Sequence, residues 1–229
     1  MEVTCDAHEG DKSLESLVAM SNHGRSGITR LLMGSVTDKV LHHIKNPMLI
    51  FREHRDGDPD TKLETIIVLL DGSPLAESVL PHVTALAKAL GLKVTLVRAA
   101  STAEHFIAAT GSHQIDGASG LQFHNFKTMS QAAGNQASEY ITEQENLLRR
   151  QGIASIDHKI VPGSAANVIV DLTLDTPDNE VVMTTHGHSG PGRWTLGSVT
   201  DRVVRHSGDP VLVIRTGTPI SDLAWWEIR

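Results

Sequence analysis

The stretch ETIIVLLDGSPLAESVLPHVTALAKALGLKVTLVRA, residues 64–99, decides the fold class. Residues 64–70 form a continuous apolar run rich in Ile and Val, which is typical of a strand buried on both faces of a parallel sheet. Residues 93–99 repeat that pattern and predict a second strand. A strand, a helix and a strand in succession predict a parallel β-α-β unit with a right-handed crossover.

The helix between these two strands carries its own start and stop signals. Ser73 is suited to cap its first turn, and Pro74 suits the first helical position. Pro81 is expected to kink the helix, and Gly91 to end it.

The alternation of helices and strands continues downstream. We predict a polar loop over 101–130, a helix over 131–150, a strand over 156–161, a helix over 165–174, a strand over 180–185, and then a final helix and strand. The expected fold is α/β, with an open parallel sheet.

One sequence motif occurs twice in the chain. HGHSGPGRWTLGSVTD spans residues 186–201, and HGRSGITRLLMGSVTD spans residues 23–38. An ungapped alignment from residue 17 against residue 180 keeps about half of the positions identical, which indicates a true internal repeat. The first copy has only a short strand, residues 16–20, before it and lacks the preceding β-α-β unit.

The repeat sets the expected domain organisation. We predict a partial domain over 1–56, consisting of the last strand, helix and strand only, a linker over 57–63, a complete domain over 64–217 and a tail over 218–229.

Composition excludes several classes of function. The formal net charge is −7, and no basic run is present, which argues against nucleic acid as the main ligand. The hydrophobic fraction of 40% is sufficient for a core, and only 3% of residues are aromatic. The single cysteine, Cys5, cannot form a disulfide framework, and the acidic N-terminus has no apolar run of signal or membrane-spanning length. We therefore expect a cytoplasmic protein with no membrane partner.

The repeated motif has two physical interpretations. Glycines after a strand and a helix start at Gly197 and Ser198 offer backbone N–H groups and a positive dipole end to a phosphate. Alternatively, SVTD forms a capping box, with Ser198 at the cap and Asp201 at the third helical position. Asp71 is similarly ambiguous, since a carboxylate at a strand end suits ribose hydroxyls but is also a common turn or capping residue.

Patterns typical of catalytic and metal sites are missing from the sequence. It contains no phosphate-binding P-loop and no nucleophile elbow, so no catalytic residue is assigned. His105, His113 and His124 share the predicted loop at a spacing that matches no known metal site, and no metal ligand is assigned.

These landmarks resemble the universal stress protein family over nearly the whole chain. The residues concerned are the first strand with Asp71, the segment from His186 onward, and the closing DPVLVIR. The resemblance implies a Rossmann-like five-stranded parallel sheet in the order 3-2-1-4-5 and an ATP or AMP site, with or without Mg²⁺. It also implies dimers that pair through the last strand.

The resemblance also implies which residues bind the nucleotide. Asp71 would meet ribose or adenine, the backbone near Ala99 would read the adenine edge, and Leu69 would line the pocket. Ribose and phosphates would be held by residues of the second copy of the motif, namely Gly187, His188, Gly190, Gly197, Ser198, Val199 and Thr200. Thr184 stands where the family motif G-x2-G-x9-G-[S/T] begins with glycine, and Ser21 stands there in the first copy. The Thr184 side chain would narrow the pocket or shift the ligand.

The resemblance leads to two hypotheses about function. The first is a nucleotide-binding stress-response module that acts through binding and dimerisation, with at most slow ATP hydrolysis. The second is an interaction protein of the same fold that binds no nucleotide. The first copy, with Gly24, Gly34 and Ser35, is expected to hold no complete nucleotide site. Its role would be architectural, with Met48–Phe51 pairing with Val211–Ile214, as an alternative to a homodimer through the last strand.

Overall fold

The structure is a computed structural model that describes residues 17–21, 34–43, 46–51, 62–100, 119–175, 178–185 and 196–215; for residues 35, 119–127 and 175 it describes the backbone only. The strands are β1 Val18–Ser21, β2 Met48–Phe51, β3 Thr65–Leu69, β4 Lys93–Ala100, β5 Ile156–Pro162, β6 Asn179–Thr184 and β7 Val211–Ile214. The helices are α1 Ser35–His43, α2 Pro74–Glu77, α3 Leu80–Leu90, α4 Ser119–Arg150, α5 Ala165–Asp175 and α6 Ser198–His206.

All of these strands belong to one seven-stranded sheet in the order β1-β2-β7-β6-β3-β4-β5. Neighbouring strands are parallel except for β2 and β7, which are antiparallel. The α/β class is confirmed, and the strands β3 to β7 follow the predicted order 3-2-1-4-5. The predicted partial strand-helix-strand unit adds two strands to these five, because β2 pairs with the backbone edge of β7 and β1 extends the sheet beyond it.

Helices cover both faces of this sheet. The first face is packed by α2, α3 and α4, and fully buried Ile141 and Leu148 of α4 lie in its core. The second face is packed by α1, α5 and α6. Burial on both faces explains why β6 is buried at every position and why its central residues 181–183 are all apolar instead of alternating with polar residues.

The helix that follows β3 is divided into two. Ser73 caps α2, because its hydroxyl accepts a hydrogen bond from the Ala76 amide at 3.1 Å. The chain then starts α3 anew after Val79, so that Pro81 lies in the first turn of a second helix instead of kinking one long helix. Proline is tolerated there because first-turn N–H groups have no partner within the helix. Gly91 ends α3 in the left-handed conformation, as predicted.

Helix α4 begins at Ser119, so the prediction of a loop over 101–130 is wrong for residues 119–130. The Gly- and Ser-rich sequence has weak helix propensity, but adding residues to a helix that is already packed on the sheet costs little. No helix in the described ranges is both long and apolar enough to cross a membrane.

The junction of β2 and β7 is the pairing of Met48–Phe51 with Val211–Ile214 that the repeat predicts. Its register runs Met48–Val213, Leu49–Leu212 and Ile50–Val211. Leu49 aligns with Leu212 in the repeat, so a local pseudo-two-fold axis passes through this pair.

Polar contacts of α1 with Arg205 on α6 and with Arg215 after β7 reinforce the junction. The Arg205 guanidinium lies 2.9 Å from the Asp38 carboxylate and 2.8 Å from that of Asp201. Arg215 donates to two last-turn carbonyl oxygens of α1, at 3.0 and 2.9 Å. The Arg215 guanidinium also complements the negative end of the α1 dipole.

Candidate functional site

A cavity of about 130 Å³ opens where β3 and β6 end and α6 begins. In open α/β sheets a ligand favours the place where the strand order reverses, and here that place lies between β3 and β6. The described residues that line it are Leu69, Asp71, Ala76, Ala165, Met183, Thr184, Gly197, Ser198, Val199 and Thr200.

The turn between β3 and α2 presents Asp71 to this cavity. Its Oδ1 atom accepts hydrogen bonds from the Ser73 amide at 2.9 Å and from the Ser73 hydroxyl at 2.6 Å. Asp71 is therefore a turn-forming residue, as one of its two interpretations holds, and it also lines the cavity.

The start of α6 forms the opposite wall. Gly197 is the N-cap residue and makes no side-chain capping bond, so the alternative that Ser198 caps the helix is wrong. The reason is that strand-to-helix contacts fix this turn: the Gly197 amide donates to the Thr185 carbonyl at 2.8 Å, and the Thr200 hydroxyl donates to the Thr184 carbonyl at 2.9 Å. Ser198 is thereby the first helical residue, and its side chain is exposed at the cavity mouth.

Most of the described residues in the predicted site come together here. Leu69, Asp71, Thr184 and the run from Gly197 to Thr200 share the cavity. Ala99 does not line it; this residue packs against the core of the second face. Gly187, His188 and Gly190 lie outside the described residues.

Three further lining residues were not predicted from sequence, namely Ala76, Ala165 and Met183. All three are apolar residues at helix starts or in a buried strand, where the sequence pattern predicts core packing. No local signal distinguishes them from core residues.

The first copy of the repeat retains part of the same architecture. The Thr37 hydroxyl donates to the Ser21 carbonyl at 3.1 Å, as Thr200 does to Thr184. The Asp38 amide donates to the Gly34 carbonyl at 2.9 Å, which matches the bond at the start of α6. Within the described part of the chain, however, β1 is the edge of the sheet, and no counterpart of β3 or Asp71 lies beside it. Gly24 lies outside the described residues, as do His105 and His113 of the predicted loop. For His124 only the backbone is described.

Comparison with known proteins gives a consistent result. The sequence matches the model of the universal stress protein family over residues 14–52 and 62–215. A universal stress protein of Methanocaldococcus jannaschii is 24% identical over 151 residues, which are 66% of this chain and 81% of that protein.

Two solved structures show the same fold. A universal stress protein from Archaeoglobus fulgidus has a TM-score of 0.61 at 22% identity and covers 88% of this chain and 63% of its own. The protein UspA from Lactobacillus plantarum has a TM-score of 0.56 at 18% identity and covers 67% of this chain and 99% of its own. Since the family match spans both copies of the repeat and most of the chain, this chain belongs to the universal stress protein family.

Proposed function

We propose that this protein is a cytoplasmic stress-response module that binds an adenine nucleotide, ATP or AMP, in the cavity between β3, β6 and α6. The observation that carries the proposal is the convergence of Asp71 with the start of α6 on one cavity. A carboxylate on one wall suits ribose hydroxyls, and the first-turn amides of α6 suit a phosphate on the other.

Titration calorimetry with ATP and with AMP, each with and without Mg²⁺, tests this proposal directly. Asp71→Asn is the sharpest variant, because an amide oxygen can still accept the two Ser73 hydrogen bonds while the charge is lost. We expect affinity to fall about tenfold, as for the loss of one charged hydrogen bond. The absence of any heat or thermal shift at millimolar nucleotide would refute nucleotide binding.

The repeat supplies a matched control pair. Thr200→Val removes the hydroxyl that joins α6 to β6, and Thr37→Val removes the same bond in the first copy. We expect the first variant to weaken nucleotide binding and the second to leave it unchanged. Equal effects of both variants would contradict a site confined to residues 64–217.

We also propose that residues 1–56 are a partial domain whose β2 occupies the place of a second subunit. Residues 57–63 would then be the linker, 64–217 the complete domain and 218–229 the tail. The contacts of Leu49 with Leu212 and of Asp38 with Arg205 support this arrangement. Light scattering after size exclusion should find a monomer, because the β7 edge is already paired. A homodimer that persists after Leu212 is cross-linked to residue 49 through introduced cysteines would require another interface.

A second candidate is an interaction protein of the same fold that binds no nucleotide. Its support is the cavity itself: about 130 Å³ lies below the usual range of ligand sites, roughly 300 to 1,000 Å³. Thr184 is one of its walls and replaces the family's first glycine. Nucleotide binding that appears in Thr184→Gly but not in the natural sequence would favour this candidate.

A further inference from the structure

A polar cluster on the first face of the sheet lies next to the turn that carries Asp71. Its members are Glu77 at the end of α2, Arg98 on β4 and Tyr140 on α4, all half-buried. None of them is among the described residues that line the cavity. Sequence analysis did not single out any of the three.

Tyr140 holds the α2 side of the turn. Its hydroxyl donates to the Glu77 carboxylate at 2.9 Å. The Tyr140 side chain also packs against the core of the first face. Helix α2 has only four residues, so a contact at Glu77 acts close to Ser73 at its start.

Arg98 holds the β3 side of the same turn. Its guanidinium carbon lies 5.2 Å from the centre of the Tyr140 ring, within the range of a cation–π contact. The same guanidinium is 3.4 Å from the carbonyl oxygen of Leu70, the last residue before Asp71. Tyr140 and Arg98 thus join both flanks of the turn to α4 and β4.

The turn itself is shaped around Arg98. Gly72 has φ of +81°, and a Cβ atom placed there would lie only 2.9 Å from Nη1 of Arg98. The guanidinium therefore covers the backbone of Gly72 directly. Displacement of Arg98 would remove this cover from one side of the segment that orients Asp71.

We propose that Arg98 and Tyr140 are positioning residues, which hold the β3–α2 turn so that the Asp71 carboxylate faces the nucleotide cavity. This inference rests on the proposed function for its effect on binding. Its structural part, the clamping of the turn, does not depend on any ligand.

Variants of the full chain test the inference by ATP titration. Tyr140→Phe loses the bond to Glu77 but keeps the ring beneath Arg98. Tyr140→Ala loses both the bond and the cation–π contact, and Arg98→Ala loses the cation–π contact and the contact with the Leu70 carbonyl. We expect ATP affinity to fall about threefold in Tyr140→Phe and about tenfold in the two alanine variants, the usual scale for such contacts. Ile141→Val is the matched control, since it perturbs the core one residue away and should lower the melting temperature without lowering affinity.

Hydrogen exchange of the Ser73 and Ala76 amides gives a second readout that needs no nucleotide. These amides donate to the Asp71 carboxylate and the Ser73 hydroxyl respectively. Both should exchange faster in Arg98→Ala and Tyr140→Ala, but not in Ile141→Val. If the natural protein binds no ATP, the proposed function fails, and these exchange rates alone decide whether the clamp exists. Unchanged exchange in the alanine variants, or affinity losses that follow melting temperature in all variants including the control, would overturn the inference.

Discussion

Two buried titratable groups give this protein opposing responses to acid. His82 on α3 is only 4% exposed, and neither of its ring nitrogens has a hydrogen-bond partner in the described part of the chain. Burial lowers the pKa of His82 from 6.5 to about 4. Glu180 on β6 is 7% exposed, and burial raises the pKa of its carboxyl from 4.5 to about 7.

The two shifts have opposite consequences for stability. As pH falls from 6.5 to 4, unfolded chains bind a proton at His82 that the folded protein resists, so folding is destabilised. As pH falls from 7 to 4.5, the folded protein accepts a proton at Glu180 before the unfolded chain does, so folding is stabilised. Each of these pKa changes corresponds to about 3 kcal/mol of unfolding free energy, and the two contributions nearly cancel in the natural protein between pH 7.5 and pH 4.

Single variants should separate these contributions. The difference in unfolding free energy between His82→Leu and the natural protein should rise by about 3 kcal/mol in favour of the variant as pH falls from 7.5 to 4. Glu180→Gln should be more stable at pH 7.5 by about 3 kcal/mol and lose that advantage at pH 4. Urea denaturation followed by circular dichroism at several pH values measures both differences. Val83→Ala, a fully buried neighbour without a titratable group, should differ from the natural protein equally at every pH. Differences that do not change with pH for His82→Leu and Glu180→Gln would refute the reasoning.

Further predictions concern single positions. Burial and the adjacent Glu77 carboxylate raise the pKa of the phenol of Tyr140, the only tyrosine in the sequence. The tyrosinate absorbance should therefore appear only at pH values well above the usual midpoint near 10, and the midpoint should return to about 10 in urea. Gly91→Ala should lower the free energy of unfolding by about 1 kcal/mol, because Gly91 has a positive φ. Gly134→Ala, inside α4 with open space around it, should raise that free energy by about 0.5 to 1 kcal/mol. Chemical denaturation of both variants should show the opposite signs. Asp38→Asn should cost no more than about 1 kcal/mol, since the pair with Arg205 is partly exposed, and the cost should shrink in high salt.

The sequence predicts what depends on local periodicity and on the repeat. Buried strands such as residues 65–69 carry continuous apolar runs, and Ser73 and Gly91 mark helix ends with their own backbone chemistry. The junction of β2 with β7 was also predictable, because the repeat places two equivalent last strands in one chain. Each of these features follows from a sequence signal, either a pattern within a few residues or the repeat itself.

Features that depend on contacts between distant elements were not predictable in this way. Ser198 satisfies the local capping pattern, but bonds from Gly197 and Thr200 to the end of β6 set the helix start one residue earlier. Arg98 and Tyr140 are far apart in sequence, and neither belongs to a motif. Their association exists only because β4 and α4 pack side by side.

The pairing of β2 with β7 also sets an order of events during synthesis. Strand β2 emerges from the ribosome early, soon after its first neighbour β1, but its second neighbour, β7, is the last strand of the described chain. At the usual rates of translation, roughly ten to thirty seconds separate the two. During that interval the edge of the apolar strand Met48–Phe51 that faces away from β1 has no native partner, and the short helix α1 cannot yet use Arg205 or Arg215. The N-terminal segment therefore docks only after β7 has been synthesised, and chaperones that shield exposed strands would act on β2 before that point.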